Sequence, residues 1–327
     1  MTLFVIILNW ESAKETIQCI HSLNKSSFSD FIPLVVDNHS RDNSVQEIKS
    51  QFPHIEILET EKNQGYAGGN NVGMQAAFSK GADAVLILNN DTEVTEDFLE
   101  NILKLAKESP SPCLIGGCPV LYSNPSILDH LGGIWNSEKA CFDLVGYRAP
   151  LSSLSSFASL SLDYVCGCAL YIDKEIFKKL GLFEERYFLF WEEADYCAKA
   201  KKKGIEIKVC MHAIVKHKVS HSFTGYSALK TYFWWRNRFF WIKRNQPYLY
   251  YYKMLWKKGL SHLVKSWKRY IIRSFFFYLR SPFLQKEEKS IQKQKILLSL
   301  AEVRGIADFL FKQMGDAPQK FKNKTPC

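Results

Sequence analysis

Ala84-Val-Leu-Ile-Leu-Asn-Asn-Asp-Thr92 is a run of aliphatic side chains that stops at two amides and a carboxylate. Aliphatics without polar alternation suit a strand buried on both faces, the habit of a parallel sheet covered by helices. The same pattern recurs upstream in Leu3–Leu8, Pro33–Val36 and Ile55–Leu58, all short and rich in Val, Ile and Leu. Between these runs, Ser12–Leu23 places Ala13, Ile17, Ile20 and Leu23 on one side, and Val45–Phe52, Asn71–Phe78 and Glu96–Ala106 continue the helical period. Strand–helix alternation predicts a doubly wound α/β sheet, whose ligands bind beyond the carboxyl ends of its strands. Asn9-Trp10, Asp37-Asn38, Asn63–Asn71 and Asn89-Asn90-Asp91 each follow an expected strand, so four polar loops converge on one edge.

The second half is less regular. Asp163–Ile172 reads as a strand, Lys174–Leu180 as a short helix, Glu192–Lys203 as a longer one and Ile205–Val209 as another strand, while the Ser-rich Leu151–Ser161 reads as a mobile loop. Beyond about Tyr226 the chain turns helical, aromatic and basic. This predicts an α/β domain over residues 1–225, in two parts at 1–110 and 111–225, followed by a helical extension at 226–327.

The 327 residues carry a net charge of +10, unevenly spread. From Ile207 to Lys286 there is no Asp or Glu but 17 Lys and Arg, so the rest of the chain is net −7. Within that span Trp256, Leu260, Leu263, Trp267, Ile271 and Tyr278 share one helical side, and Lys258, Lys265, Lys268, Arg269, Arg273 and Arg280 the other. Such a helix suits the headgroup region of an anionic membrane. Packing against the catalytic domain and binding to single-stranded nucleic acid are the alternatives. No run reaches the roughly 18 apolar residues of a spanning helix, and Leu3–Leu8 lacks the basic lead and cleavage site of a secretory leader. The nine cysteines are odd in number and irregularly spaced, which favours a reducing compartment, and Cys166 and Cys168 have no second pair with which to make a zinc site.

Four constellations can carry chemistry. Asn63-Gln-Gly-Tyr-Ala-Gly-Gly-Asn-Asn71 places Gly65, Gly68 and Gly69 before a helix, which suits a diphosphate held by backbone N–H groups, or equally a tight turn. It lacks the Gly-Lys-Ser/Thr of a P-loop and the spacing of a dinucleotide fingerprint. Asp91 offers a hard oxygen to a divalent ion, with a helix cap as the alternative. Glu192, Glu193 and Asp195 open a helix, where a carboxylate can act as a general base or simply complement the dipole. His212, His217 and His221 can complete a metal site or hold phosphate.

Seven stretches in this order resemble the family 2 inverting glycosyltransferases of the rhamnosyltransferase-like branch. They are Val5–Trp10, Val35–Ser40, Asn63–Asn71, Leu88–Val94, Val165–Leu170, Phe188–Cys197 and Ala213–Ser220, and they run through about the first 240 residues. The resemblance implies a GT-A fold, a seven-stranded mixed, mainly parallel sheet flanked by helices. It implies that Asp37 holds the nucleobase beside Asn9 and Trp10, that Asn63, Gly65, Gly68, Gly69, Asn71 and Asn90 lie near the nucleotide, and that Asp91 with His217 binds Mg²⁺ or Mn²⁺. Glu193 falls where the family places its base, usually an Asp, with Glu192 and Asp195 as alternatives; Asn89 replaces the first Asp of the metal motif, as is common in this branch. The implied partners are a nucleotide-diphosphate sugar, dTDP-rhamnose by the branch name, and a lipid-linked glycan at the inner face of a bacterial cytoplasmic membrane, with no nucleic acid. A catalytically silent sugar-nucleotide binder and a basic nucleic-acid-binding protein are the competing readings.

Overall fold

The computed structural model describes residues 1–218 and 227–322. The chain divides into two compact units, Met1–Glu185 with Glu192–Ser222 and Arg186–Trp191 with Phe223–Cys327. The boundary expected near Tyr226 falls outside the described residues, as does His221.

The first unit runs β1 (Leu3–Asn9), α1 (Ala13–Leu23), β2 (Phe31–Asp37), α2 (Ser44–Gln51), β3 (Glu56–Glu59), α3 (Gly65–Ser79), β4 (Ala84–Asn89), β5 (Thr92–Val94), α4 (Phe98–Glu108), β6 (Cys113–Leu121) and β7 (Asn124–Leu128). It continues with β8 (Gly132–Asn136), β9 (Cys141–Val145), β10 (Tyr164–Val165), β11 (Ala169–Asp173), α5 (Lys174–Leu180), α6 (Glu192–Lys202) and β12 (Glu206–His217). Among the described residues the main sheet has nine strands where the resemblance implied seven, in the order β3-β2-β1-β4-β11-β6-β12-β5 with β7 paired to β6. β1, β2, β3 and β4 are parallel, whereas β11 enters antiparallel between β4 and β6. Register places Asn9 beside Asp37 and Leu8 beside Asn89, so the expected polar loops leave the sheet level with one another. The aliphatic runs of β1, β2 and β4 are largely buried, whereas β3 at the sheet edge is only half-buried, and α1 buries Ala13, Ile17, Ile20 and Leu23 as its period predicts.

Several expectations are corrected. The glycines do not form a loop: Gly65, with φ +70°, opens α3, and Gly68 and Gly69 lie inside it. Closeness to the sheet explains why. A Cβ on Gly69 would stand 2.4 Å from Leu8 Cδ1, and one on Gly73 would stand 2.5 Å from Ile6 Cγ2, so α3 rides directly on β1. Asp163–Ile172 is two strands in different sheets, broken at residues 166–168, with β10 in a three-stranded sheet of order β10-β8-β9. β12 runs on past Val209 to His217 through an irregularity between Val209 and Ile214. Leu151–Phe157 is a 3₁₀ helix rather than a loop.

In the second unit, α7 (Ser227–Asn245) and α8 (Tyr248–Met254) lead through a π-helical turn at Leu255–Leu260 into α9 (Ser261–Arg280), and α10 (Lys286–Leu310) packs on α7 and α9. Arg236, fully buried, donates to the carbonyls of Arg186, Tyr187 and Gly315. Asn237 donates to those of Tyr187, Leu189 and Phe190. These two side chains hold a segment in which Phe188, Phe190 and Trp191 all adopt positive φ, a conformation that costs free energy for non-glycine residues and needs such support. The π turn moves α9 out of the continuous period assumed for Trp256–Leu279. Arg269 and Arg273, expected on a free basic side, instead bond to Glu302, Ser299 and the Lys295 carbonyl of α10.

Candidate active site

Side chains at the strand ends form one connected network. Asp37 accepts from Asn9 Nδ2 at 2.7 Å, from Ser40 Oγ at 2.7 Å and from Ser40 N at 2.9 Å. Asn9 in turn accepts from Thr16 Oγ1 at 2.7 Å, and Thr16 accepts from Asn90 Nδ2 at 3.1 Å. Asn9, Thr16, Asp37 and Asn90 are buried, so the loop after β2 and the loop after β4 are coupled through fully solvent-shielded hydrogen bonds. Thr16 and Ser40 were not singled out in the sequence. A hydroxyl one helical turn into α1, below a strand-end Asn, is the signal that could have found Thr16.

Residues 166–168 form the centre of the site. Cys168 O accepts from Asn89 N at 2.9 Å, and Gly167 O accepts from Tyr66 Oη at 2.7 Å. A Cβ on Gly167 would sit 3.3 Å from Glu193 Cβ and Cγ, so glycine eases the close approach of this backbone to the Glu193 side chain. The break in the expected strand therefore brings the β4 loop, α3 and the start of α6 together. Glu193 is half-buried, but its Oε2 is shielded from solvent and meets no donor among the described residues. Desolvation is the largest influence on it and raises its pKa to about 7. Asn89 Oδ1 and Asn70 Oδ1 are also buried without a partner. Orphaned acceptors of this kind are where a ligand's donors or cation belong. Glu192 and Asp195 are buried at 4 % exposure each.

Asp91 lies in the turn between β4 and β5 and caps no helix, which removes that alternative. Its Oδ1 is 3.5 Å from His217 Nε2, and His217 Nδ1 is 2.9 Å from Asp129 Oδ2. Burial opposes a charge on this imidazole, but the hydrogen bonds to Asp129 and Asp91 outweigh it and raise its pKa to about 10. Among the described residues no group of three or more His, Cys, Asp or Glu could hold a metal by itself. Asp91 still offers the hard oxygen that a divalent cation takes alongside substrate phosphates and water, and His217, 3.5 Å away, could join it by giving up the proton that its raised pKa holds. Asp129, just after β7, is a third residue the sequence did not reveal.

The other candidates separate. Trp10 is half-buried at the end of β1. Asn63 Oδ1 accepts from Asn38 Nδ2 and Gly65 N, which shapes the turn into α3. Asn71 is committed to Phe183 through both its amide groups and to Glu185, so its side chain fastens α3 to the segment after α5. His212 is exposed and joins none of these residues.

Comparison with known proteins decides the family. The model of glycosyl transferase family 2 matches residues 4–181, more than half of the chain. The chain belongs to glycosyl transferase family 2. It is similar to the low-salt glycan biosynthesis hexosyltransferase Agl10 of Haloferax volcanii, 26 % identical over 84 % of this chain and 85 % of that protein. It is also similar to the N-acetylglucosaminyl-diphospho-decaprenol L-rhamnosyltransferase of Mycobacterium tuberculosis, 24 % identical over 58 % and 67 % of the two chains. The glycosyltransferase shares its fold with the mannosyltransferase PcManGT of Pyrobaculum calidifontis, solved with GDP-Man and Mn²⁺, at a TM-score of 0.56 and 12 % identity over 95 % and 87 % of the two chains. With GalNAc-T7 the TM-score is 0.52 at 16 % identity, over 66 % of this chain and 43 % of that one. A mixed, mainly parallel GT-A sheet followed by a helical C-terminal region is thus the architecture of a family 2 glycosyltransferase of the rhamnosyltransferase-like branch.

Proposed function

We propose that this glycosyltransferase moves a sugar, with inversion at C1, from a nucleoside diphosphate to a hydroxyl of a lipid-linked glycan in bacterial surface polysaccharide synthesis, such as O-antigen or capsule. The observation that carries the reading is Glu193, a carboxylate with a solvent-shielded, unsatisfied oxygen and a pKa raised to about 7, close against Gly167. A carboxylate of that pKa is matched to taking a proton at neutral pH. As the acceptor oxygen bonds to C1, the C1–O bond to the diphosphate breaks and the acceptor proton passes to Glu193. Glu192 and Asp195, on the same first turn, are the alternative bases.

In this reading residues 1–110 bind the nucleotide and 111–225 face the acceptor, with 226–327 as a basic extension at the inner face of the cytoplasmic membrane. Asp37, positioned by Asn9 and Ser40, holds the base beside Trp10, and the start of α3 from Gly65 to Gly69 lies near the diphosphate. Asp91 and His217 would hold Mg²⁺ or Mn²⁺, which when bound offsets charge on the leaving diphosphate. The Mn²⁺ and GDP-Man bound by the mannosyltransferase support a divalent ion and a sugar nucleotide. A dTDP-rhamnosyl transferase of Shigella flexneri, 19 % identical over 65 % of this chain, and the decaprenol-linked acceptor named for the mycobacterial relative favour dTDP-rhamnose and a lipid-linked acceptor.

The test is nucleoside diphosphate release over a panel of sugar nucleotides, with Mg²⁺, Mn²⁺ or EDTA, in wild type, Glu193→Ala and Asp91→Ala. Metal-dependent release from one donor, lost in both variants, is the expected result. Binding of a sugar nucleotide without release, even with a lipid-linked acceptor present, would make the protein a silent binder.

A further inference from the structure

The second unit contains a helix packed the wrong way round for a soluble surface. On α9 the side that meets α10 is the polar one: Ser266 is fully buried and donates to Glu302 Oε2 at 2.6 Å, His262 Nε2 is 3.3 Å from the same carboxylate, and Arg273 reaches Ser299 Oγ at 2.7 Å. The side left outward is apolar, with Val264 54 %, Trp267 49 %, Ile271 49 %, Ile272 53 %, Phe275 58 % and Leu279 50 % exposed. A contiguous outward face of large aliphatic and aromatic residues marks an interaction surface rather than chance exposure.

We propose that this outward face of α9 is a lipid-docking surface that lies in the interface of an anionic bilayer. Two observations choose lipid over a protein partner. Lys265 and Arg280 border the apolar residues, Lys268 stands among them on a stem long enough to carry its charge to the headgroups, Lys257 and Lys258 precede them, and no acid occurs from Ile207 to Lys286, so the charge complements a negative headgroup layer. A tryptophan and phenylalanines above a basic border are the composition of a helix lying in the membrane plane. No helix among the described residues is long and apolar enough to cross a membrane. Arg269 and Arg273, committed to α10, are structural and take no part. The inference deepens the membrane-borne acceptor proposed above by naming the surface that meets the lipid.

The test is co-sedimentation of the full chain with phosphatidylcholine vesicles with and without phosphatidylglycerol, at low and high salt, alongside size-exclusion light scattering. Wild type should bind the anionic vesicles, more weakly at high salt. Ile271→Asp combined with Phe275→Asp should cut binding about tenfold or more, because charges placed in the apolar face oppose insertion. Both side chains point outward, so the circular dichroism melt should be unchanged. As an independent measure, acyl-chain-brominated lipids should quench wild-type tryptophan emission, and quench it less in Trp267→Phe. Equal vesicle binding by the double variant, or no binding by wild type, overturns the proposal, as does a dimer that the double variant dissolves. Donor turnover with a soluble short-chain acceptor is read in parallel: if it persists while vesicle binding is absent, the docking surface fails and the transferase reading stands.

Discussion

His217 stands between two buried carboxylates, its Nδ1 2.9 Å from Asp129 Oδ2 and its Nε2 3.5 Å from Asp91 Oδ1. Asp129 thus fixes which ring nitrogen faces Asp91 without itself facing that carboxylate. An orienting partner behind a metal-ligating imidazole typically changes metal affinity about 10–100-fold. Asp129→Ala is expected to raise the Mn²⁺ concentration needed for half-maximal nucleoside diphosphate release by about that factor. Asp129→Asn, which still offers an oxygen to Nδ1, should recover part of the loss. Equal Mn²⁺ dependence in all three proteins would show that Asp129 only fills space.

Glu193→Gln keeps the shape of the side chain and removes its basicity. The expected loss of turnover is about 10²–10⁴-fold with donor binding little changed. In wild type kcat/KM should rise with pH through about 7, as the raised pKa leaves the carboxylate protonated below that value. A pH-independent residual rate in Glu193→Gln completes the test.

The same shift has a consequence for stability. Because the folded pKa of about 7 lies above the unfolded value near 4.5, the folded state binds more protons between these limits, and stability falls as pH rises through that window. Replacing the carboxylate by an amide removes this loss. Glu193→Gln should therefore melt above wild type at pH 8, with the difference shrinking as the pH is lowered towards 4.5. A constant difference across the range would assign the effect to packing rather than ionisation.

Gly73→Ala tests the seat of α3. Its new methyl would stand 2.5 Å from Ile6 Cγ2 and 3.1 Å from Val36 Cγ2, branched carbons of two sheet strands that cannot swing away. Overpacking of this kind costs about 1–3 kcal/mol. Urea unfolding should show that loss.

Aliphatic runs followed by polar strand ends determined, without coordinates, the parallel half of the sheet and the meeting of Asn9, Asp37 and Asn90 at one edge, and the resemblance of seven stretches pointed to the family. Those features are local, because burial of a strand on both faces leaves its mark on consecutive residues. The glycine-rich segment misled for a physical reason: glycine signals either positive φ or close approach, and composition does not distinguish Gly65, which needs the first, from Gly69 and Gly73, which need the second. Only the tertiary structure broke Asp163–Ile172 at residues 166–168, placed Gly167 against Glu193 and Tyr66, and set Asp129 behind His217, 88 positions away. Only the structure, too, turned the polar side of α9 towards α10. A helical wheel records which side chains share a side, but not which side finds a partner; that choice rests on Glu302 and Ser299, carried by a different helix.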